Sequence, residues 1–261
     1  MKKYTDFNAA TKAFNPAAVT TITFTGSDIP GPGVVAYHLY MTGDNTFADL
    51  TRIRLKANGE TIWDVDPGHY RTFVERMSRS NFAVPTAGVR FTIPLYHMDA
   101  KGDDRYLAQF PQGATPTIEI VVGAGIATGS MVCGYSMVDA PPTAFVKLLG
   151  SQMNIAAGAT NGTYPIMGSG FLRGYSLNTT GLNRKRLILN GVQRDQTDGT
   201  IDLEQDQLES PQTITNPLFH KLHGVEEIFS NGRSQLYIDS AGGWAGTANE
   251  LTTYTIHPYS K

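Results

Sequence analysis

The feature that most constrains this sequence is an internal repeat, because a chain that contains the same pattern twice is expected to fold into two similar units. The pattern L-x-R-x-R-L-x-x-N-G occurs at residues 50–59 and again at 182–191, about half of the 261-residue chain later. The pattern Y-x-L-x-x-T-G precedes the two copies, at 37–43 and 175–181. The pattern T-x-P-L-aromatic-H follows them, at 92–97 and 215–220. Three matches in the same order predict a tandem duplication.

A proline-containing linker marks the predicted boundary between the two units. Residues 139–143 read Asp-Ala-Pro-Pro-Thr, and consecutive prolines stop a strand because proline has no N–H group for the sheet. We therefore predict a first unit at residues 20–142 and a second unit at 143–261. Residues 1–19 are polar and precede the repeated segments, so we predict that they form an N-terminal arm outside both cores.

Short segments bounded by turn residues predict β-strands in both units. Asn58-Gly59 and Asn190-Gly191 predict tight hairpins, because the two central residues of a type I′ turn both take positive φ. The predicted strands are 20–25, 34–41, 51–56, 60–65, 89–96, 117–122 and 131–138 in the first unit, and 175–177, 186–189, 218–222, 235–238 and 251–256 in the second, where a further strand begins at Ile166.

One helix interrupts the strands of the first unit. Asp66 is a suitable N-cap residue, Pro67 suits the first helical position, and apolar residues at Tyr70, Phe73, Val74 and Met77 form a stripe over residues 67–79. Residues 200–209 predict a weaker counterpart in the second unit. The predicted fold class is all-β, with two tandem jelly-roll β-sandwiches and a short inserted helix in at least the first.

Composition limits the classes of function. The formal net charge is −2 and only 17% of residues are charged, so the chain lacks the excess of basic residues that is typical of nucleic-acid-binding proteins. A single cysteine, Cys133, excludes an intramolecular disulfide framework and a Cys-rich zinc site. Residues 120–138 contain no charge over about the length of a membrane span, but their glycines and β-branched flanks favour two strands joined by a turn.

Three segments resemble ligand-binding motifs and are better explained as structural features. Residues 121–129 carry G-x-G-x-x-x-G after a strand, but no helical pattern follows, so we predict a glycine turn rather than a dinucleotide loop. The basic clusters at Arg52/Arg54 and 184–186 lie on predicted strands without interleaved aromatic residues. We predict that they form a solvated or subunit-contacting face rather than a phosphate site.

No set of side chains predicts catalysis or ligation. His97 and His220 occupy equivalent positions of the repeat, but H-E-x-x-H and H-x-H patterns are missing, so we predict a shared structural role. Asp99, Asp103 and Asp104 predict a solvated loop, with a structural calcium ion as the open alternative. Cys133 lies in an apolar strand and is predicted to be buried. We predict no catalytic, cofactor-binding or metal-binding residues, and no enzyme activity.

The sequence resembles a family of viral proteins, the double jelly-roll major capsid proteins. These belong to tailless icosahedral double-stranded DNA bacteriophages with an internal membrane, the corticovirus-like phages in particular. The resemblance is carried by residues 52–64 with the helix to Arg79, and by residues 184–191. The resemblance covers nearly the whole chain. It implies a homotrimer of pseudo-hexagonal shape that tiles a shell over a membrane, made in the host cytoplasm and located in the virion. The implied partners are neighbouring capsomers, vertex and membrane proteins and the viral membrane, with no specific nucleic acid.

Two other classes of function stay open at this point. A tandem β-sandwich carbohydrate-binding module would use aromatic side chains as stacking platforms, and Trp63 and Trp244 are the candidates. Trp63 follows a strand predicted to face inward, whereas Trp244 lies in a glycine-rich segment and is the better candidate. An enzyme on two β-sandwiches, such as a copper oxygenase or a glycan amidase, is disfavoured because the ligand and nucleophile sets are missing.

Overall fold

The chain forms two compact units, residues 1–147 with 258–261, and residues 148–257. A computed structural model describes residues 1–14, 18–67, 70, 89–98, 100, 102–124, 127–154, 158–166, 170–178, 182–198, 218–228, 233–240 and 248–259. Over these residues the secondary structure consists of β-strands, two short 3₁₀ helices at Phe47–Asp49 and Gly102–Leu107, and helical residues at Pro67 and Tyr70.

Strands β1 to β8 belong to the first unit, strands β10 to β16 to the second, and β9 begins in the first unit and ends in the second. Their bounds are β1 Lys3–Phe14, β2 Thr20–Thr25, β3 Val34–Met41, β4 Leu50–Ala57, β5 Glu60–Val65, β6 Val89–Pro94, β7 Pro116–Val122, β8 Gly129–Val138, β9 Ala144–Asn154, β10 Asn161–Pro165, β11 Gly170–Asn178, β12 Leu182–Leu189, β13 Val192–Asp198, β14 Leu218–Ile228, β15 Gln235–Ser240 and β16 Ala248–Pro258.

The first unit is a jelly roll of eight antiparallel strands. One sheet has the strand order β1-β8-β3-β6, and the other places β2, β7, β4 and β5 side by side in that order. The first strand therefore pairs with the last, as it does in a sandwich made of two Greek keys. Alternation builds the core: Ile53 and Leu55 are fully buried, whereas Arg52 and Arg54 point to the opposite face of β4.

The second unit repeats this topology with each strand number raised by eight. Its sheets have the orders β10-β15-β12-β13 and β14-β11-β16-β9. The core cluster of this unit consists of Tyr164, Ile166, Leu172, Tyr175, Leu187, Leu189, Leu236, Ile238 and Leu251. Two rolls with one pairing order confirm the predicted all-β fold of two tandem jelly rolls.

The hairpin after the repeated basic strand is the same in both rolls. Asn58 and Gly59 have φ of 49° and 84°, and Asn190 and Gly191 have φ of 53° and 82°, so both turns have the positive φ values that were predicted. Each hairpin also contains a register shift at the same place, between Leu55 and Lys56 in the first roll and between Leu187 and Ile188 in the second. The two copies of this motif are therefore structurally equivalent.

The third sequence match is not structurally equivalent. Tyr37 on β3 lies opposite Ile93 on β6, whereas the corresponding Tyr175 on β11 lies opposite His220 on β14. Ile93 is the second residue of the T-x-P-L-aromatic-H pattern and His220 is its last. The prediction that His97 and His220 occupy equivalent positions was therefore wrong, because a short pattern of residue types does not determine which residues face each other across a sheet.

The predicted N-terminal arm is instead the first strand of the first roll. β1 pairs with β8 from Lys3 opposite Val138 to Phe14 opposite Gly129, and Phe14 is buried in the core. Asp6 and Lys12 lie on the same face of β1 as Phe14, so the strand shows no alternation of apolar and polar residues, which explains why the sequence pattern does not reveal it. The compact units divide between Lys147 and Leu148, within β9, whereas the boundary predicted from the prolines lies between residues 142 and 143.

The predicted helix begins where it was expected. The N–H of Tyr70 donates to the Asp66 carbonyl at 2.8 Å, which is an i to i−4 helical bond, and Pro67 is helical. Residues 71–88 and the counterpart at 200–209 lie outside the described residues. In the part of the chain that the structure describes, no helix is long and apolar enough to cross a membrane.

Candidate functional surfaces

The thiol of Cys133 is a core group. Cys133 is fully buried on β8, its Sγ lies 3.7 Å from the Gly134 carbonyl, and burial raises its pKa to about 12. A thiol with such a pKa is protonated at neutral pH and is a poor nucleophile. The prediction of a buried cysteine is confirmed.

The glycine-rich loop uses its backbone groups within the first roll. It connects β7 to β8, and the N–H of Gly123 donates to the Asp49 carbonyl at 2.8 Å. The side chain of Asn45 accepts the N–H of Ala127 at 2.9 Å and donates to the carbonyls of Ala127 and Thr42. A phosphate-binding loop presents free N–H groups at the start of a helix, whereas this loop leads into a strand. The prediction of a turn between two strands is confirmed.

The basic residues of β4 are paired with acids on neighbouring strands. Asp64 on β5 accepts hydrogen bonds from both Arg52, at 2.5 Å, and Arg54, at 3.0 Å. Lys56 lies 2.6 Å from Glu119 on β7. The side chains of this row are 13–38% exposed, so they form a compact charged layer on the face of the sheet opposite the core. Two guanidinium groups that share one carboxylate are poorly placed to bind a phosphate.

In the second roll the corresponding cluster lies partly outside the described side chains. The side chains of Arg184 and Lys185 are not among them. The guanidinium of Arg186 lies 4.4 Å from the ring centroid of Tyr237 on β15, within the range of a cation–π contact. This guanidinium packs against the ring of a neighbouring strand, and the solvated or subunit-contacting face expected for the cluster stays a prediction.

His38, His97 and His257 contact hydroxyl or backbone groups. His38 on β3 contacts the hydroxyls of Thr92 and Ser136, and His257 is buried beside the hydroxyl of Thr255 at 3.0 Å. The N–H of His97 donates to the Arg105 carbonyl at 2.9 Å. The backbones of His220 and His223 lie in β14, and His69 is outside the described residues.

The acidic loop forms a short 3₁₀ helix. Asp103 and Asp104 are exposed in the first turn of Gly102–Leu107, and Asp99 lies outside the described residues. Over the residues that the structure describes, no group of three or more His, Cys, Asp or Glu side chains is arranged to hold a metal ion.

The first tryptophan is part of the core. Trp63 is fully buried on β5, opposite Leu55, with the ring of Tyr70 at 6.2 Å. A sugar platform must face solvent, so Trp63 does not serve as one. Trp244 lies outside the described residues.

Sequence reasoning missed the exposed apolar side chains in and just before the first strand. Met1, Tyr4 and Phe7 are 51%, 59% and 65% exposed, and they belong to the few large apolar side chains that the described surface presents to solvent. Polar and charged residues separate Tyr4, Phe7 and Phe14 in the sequence, so residues 1–19 resemble a polar arm. The one available signal was the spacing of aromatic residues between Tyr4 and Phe14.

These surfaces and the two matching strand orders define the class of fold: the chain is a double jelly roll in which the basic residues of β4 are paired with acids on neighbouring strands. The fold is similar to that of viral capsid proteins of known structure. The major capsid protein P2 of bacteriophage PM2 superposes with a TM-score of 0.72 at 12% identity, covering 100% of this chain and 99% of P2. The structure of Sulfolobus Turreted Icosahedral Virus contains a chain with a TM-score of 0.68 at 11% identity, covering 99% of this chain and 91% of that one.

A third similar structure is VP54 of PBCV-1, with a TM-score of 0.64 at 9% identity, covering 98% of this chain and 94% of VP54. At these identities the likeness establishes the fold, and it confirms the double jelly roll that the sequence resemblance implied. No protein-family model matches the sequence, and the search of curated proteins gives no significant match.

Proposed function

We propose that this chain is a major capsid protein that forms the icosahedral shell of a virus. The proposal rests on the superposition with the PM2 capsid protein, which covers 100% of this chain and 99% of P2. The role proposed is structural rather than enzymatic, and the protein is located in the virion after synthesis in the host cytoplasm.

A duplicated roll suits a hexagonal lattice. Three copies of a chain with two rolls of the same topology provide six similar units around one axis, so a homotrimer has the pseudo-hexagonal outline that tiles a shell. The identical strand orders and the shared hairpin irregularity support this equivalence between the rolls. Residues 20–142 and 143–261 are proposed as the two roll-forming segments, with β1 added to the first.

Polar, charge-paired surfaces suit the contacts between copies. The Arg52, Arg54 and Asp64 cluster is neutralised in part within one chain, so burying it against another copy leaves fewer unpaired charges. We propose that neighbouring copies bury more than about 1,000 Å² per pair, the area that a stable interface requires. Further proposed partners are the vertex and membrane proteins of the virion, with Lys2, Lys3 and the exposed side chains of Met1, Tyr4 and Phe7 towards the viral membrane.

Light scattering and electron microscopy of the purified chain test this proposal. We expect a species of three times the 28.3 kDa monomer mass at micromolar concentration, stable from low to high ionic strength. At high protein concentration we expect hexagonal sheets or closed shells. A monomer that persists at every ionic strength, and that forms no lattice on concentration, would overturn the proposal. Glycan-array binding by that monomer would then favour the carbohydrate-binding alternative.

A further inference from the structure

A chain of hydrogen bonds crosses the sheet that contains β1. The hydroxyl of Thr5 on β1 lies 3.0 Å from the hydroxyl of Ser136 on β8. The same Ser136 hydroxyl lies 2.7 Å from Nε2 of His38 on β3, and Nδ1 of His38 lies 3.1 Å from the hydroxyl of Thr92 on β6. The imidazole therefore sits at the centre of a network that joins all four strands of the sheet.

The first strand also covers the imidazole. The ring of Phe7 lies 5.2 Å from the ring of His38, centroid to centroid, and the side chain of Phe7 is otherwise 65% exposed. Phe7 reaches this position because β1 bulges between Asp6 and Ala10. Water gains full access to His38 only when this part of β1 moves away.

Among the described strands of this sheet, the charged groups on the face of His38 are cationic. By strand alternation, Lys3 on β1 and Arg90 on β6 lie on the same face as His38, and Tyr40 is the other ionisable group that β3 places there. On this face, β8 carries only Ser130, Val132, Gly134, Ser136 and Val138. The carboxylate of Asp6 belongs to the opposite face and accepts the N–H of Asn8 at 2.9 Å. The four strands therefore place no carboxylate beside the imidazole to balance a positive charge.

We propose that His38 is a pH switch, whose protonation weakens the attachment of strand β1 to the first roll. The neutral ring needs one hydroxyl as an acceptor and the other as a donor, and Thr92 and Ser136 provide them. The imidazolium keeps both hydrogen bonds but places a partly buried positive charge on the same face as Lys3, where the four strands provide no carboxylate to balance it. Lifting β1 hydrates this charge, so protonation and strand opening favour each other.

The direction of the pH response follows from the environment of the ring. Burial, and to a lesser extent Lys3, lowers the pKa of His38 below its ordinary value of 6.5 while β1 is in place. Opening β1 returns the pKa towards 6.5. The attachment of β1 is therefore complete above about pH 6.5 and weakens as the pH falls from there through the pKa of the closed state.

Amide hydrogen exchange of the unsubstituted protein tests the pH switch at His38. After correction for intrinsic exchange rates, we expect protection of residues 4–13 to fall between pH 7.5 and pH 5.5 by up to about tenfold in all, because the open-state pKa of about 6.5 lies one unit above pH 5.5. Protection of β4, residues 50–57, should stay constant over the same interval. The Lys12–Asp28 ion pair, which also holds β1, does not contribute because the lowered pKa of Asp28 keeps this carboxylate ionised at pH 5.5.

Two variants and one titration complete the test. His38→Gln keeps the ring position neutral and should abolish the pH response of residues 4–13, whereas the control His97→Gln should retain it. The proposal would be overturned if protection of residues 4–13 did not depend on pH in the unsubstituted protein. It would also be overturned if His38→Gln showed the same pH dependence as the unsubstituted protein. Should His38→Gln fail to fold, an NMR titration of His38 in the unsubstituted protein decides, because a pKa at or above 6.5 is incompatible with the proposal.

Discussion

The ammonium group of Lys12 lies 2.9 Å from the carboxylate of Asp28, and this ion pair joins the end of β1 to the turn that follows β2. The same carboxylate accepts the backbone N–H of Thr25 at 2.9 Å. Lys12 also lies 5.9 Å from the ring centroid of Phe24, which is buried in the core. One side chain thus holds the first strand against the second, at the end of β1 opposite to His38.

Replacing Lys12 should change the acid stability of the first roll. The hydrogen bond from Lys12 is the main reason that the pKa of Asp28 lies below 3.8. A carboxyl group with a lowered pKa adds stability above about pH 3.8, which is lost as the pH falls. We expect Lys12→Met to lower the free energy of unfolding at pH 7 by less than about 1 kcal/mol, and to reduce the further loss between pH 5 and pH 3. Urea titrations at pH 7, 5 and 3 measure both effects, with Lys2→Met as the control.

The hydroxyl of Tyr70 is expected to stabilise the outer edge of β6. It accepts the N–H of Thr92 at 2.9 Å and donates to the carbonyl of the same residue, so one side chain satisfies two backbone groups of an edge strand. The change Tyr70→Phe keeps the ring contacts with Trp63 and Phe91 and removes both hydrogen bonds. We expect a loss of about 1–3 kcal/mol in the free energy of unfolding, measured by urea denaturation. Tyr4→Phe, on an exposed ring, should cost far less, and equal costs would contradict this role.

The hairpin of the first roll shows which features the sequence pattern predicts and which it does not, namely the register of the two strands. Alternation and the Asn58-Gly59 turn predict the two strands, but an uninterrupted register from that turn would place Arg54 opposite Trp63. The shift between Leu55 and Lys56 instead places Trp63 opposite Leu55 in the core and Asp64 opposite Arg54 on the outer face. The ion pairs of Arg52 and Arg54 follow from this one-residue irregularity, which no local residue pattern predicts.

The same physical reason explains the errors at the first strand and at the third sequence match. β1 pairs Asp6 and Lys12 with β8 on the same face as Phe14, so it lacks an apolar alternation and its sequence resembles a polar arm. In the third match, the same sequence pattern pairs differently in the two rolls: Tyr37 lies opposite the second residue of the pattern, and Tyr175 lies opposite its last. Buried alternating strands and Asn-Gly turns are local properties and were predicted correctly, whereas pairing across the sheet depends on residues far away in sequence.

The positive φ of the hairpin turns predicts the cost of adding a side chain there. Gly59 has φ of 84° and no atom within 4 Å of an added Cβ, so any cost of Gly59→Ala arises from the backbone conformation alone. We expect a loss of about 1 kcal/mol in the free energy of unfolding. Gly123→Ala is the matched control, because Gly123 does not have positive φ and its added Cβ would lie 3.5 Å from the nearest atom. Equal melting temperatures for the two variants would contradict the turn geometry.

Gly134 on β8 predicts the strongest effect of a single methyl group on the first strand. A Cβ at this position would lie 2.5 Å from Cα of Phe7 and closer still to the carbonyl oxygen of Asp6, and both atoms belong to the backbone of the irregular part of β1. Backbone atoms cannot rotate away as a flexible side chain can, so Gly134→Ala should push β1 off the sheet and cost about 1–3 kcal/mol or more.

Urea denaturation and amide hydrogen exchange separate this effect from a general loss of packing. In Gly134→Ala, residues 4–13 should exchange faster at every pH, while β2 and β7 in the other sheet keep their protection. The control Gly123→Ala should match the unsubstituted protein in both measurements. Because the displaced strand also removes Thr5 and Phe7 from His38, the pKa of that histidine in Gly134→Ala should rise towards 6.5, which an NMR titration measures. A stable variant with unchanged exchange at residues 4–13 would show that β1 does not lie against Gly134.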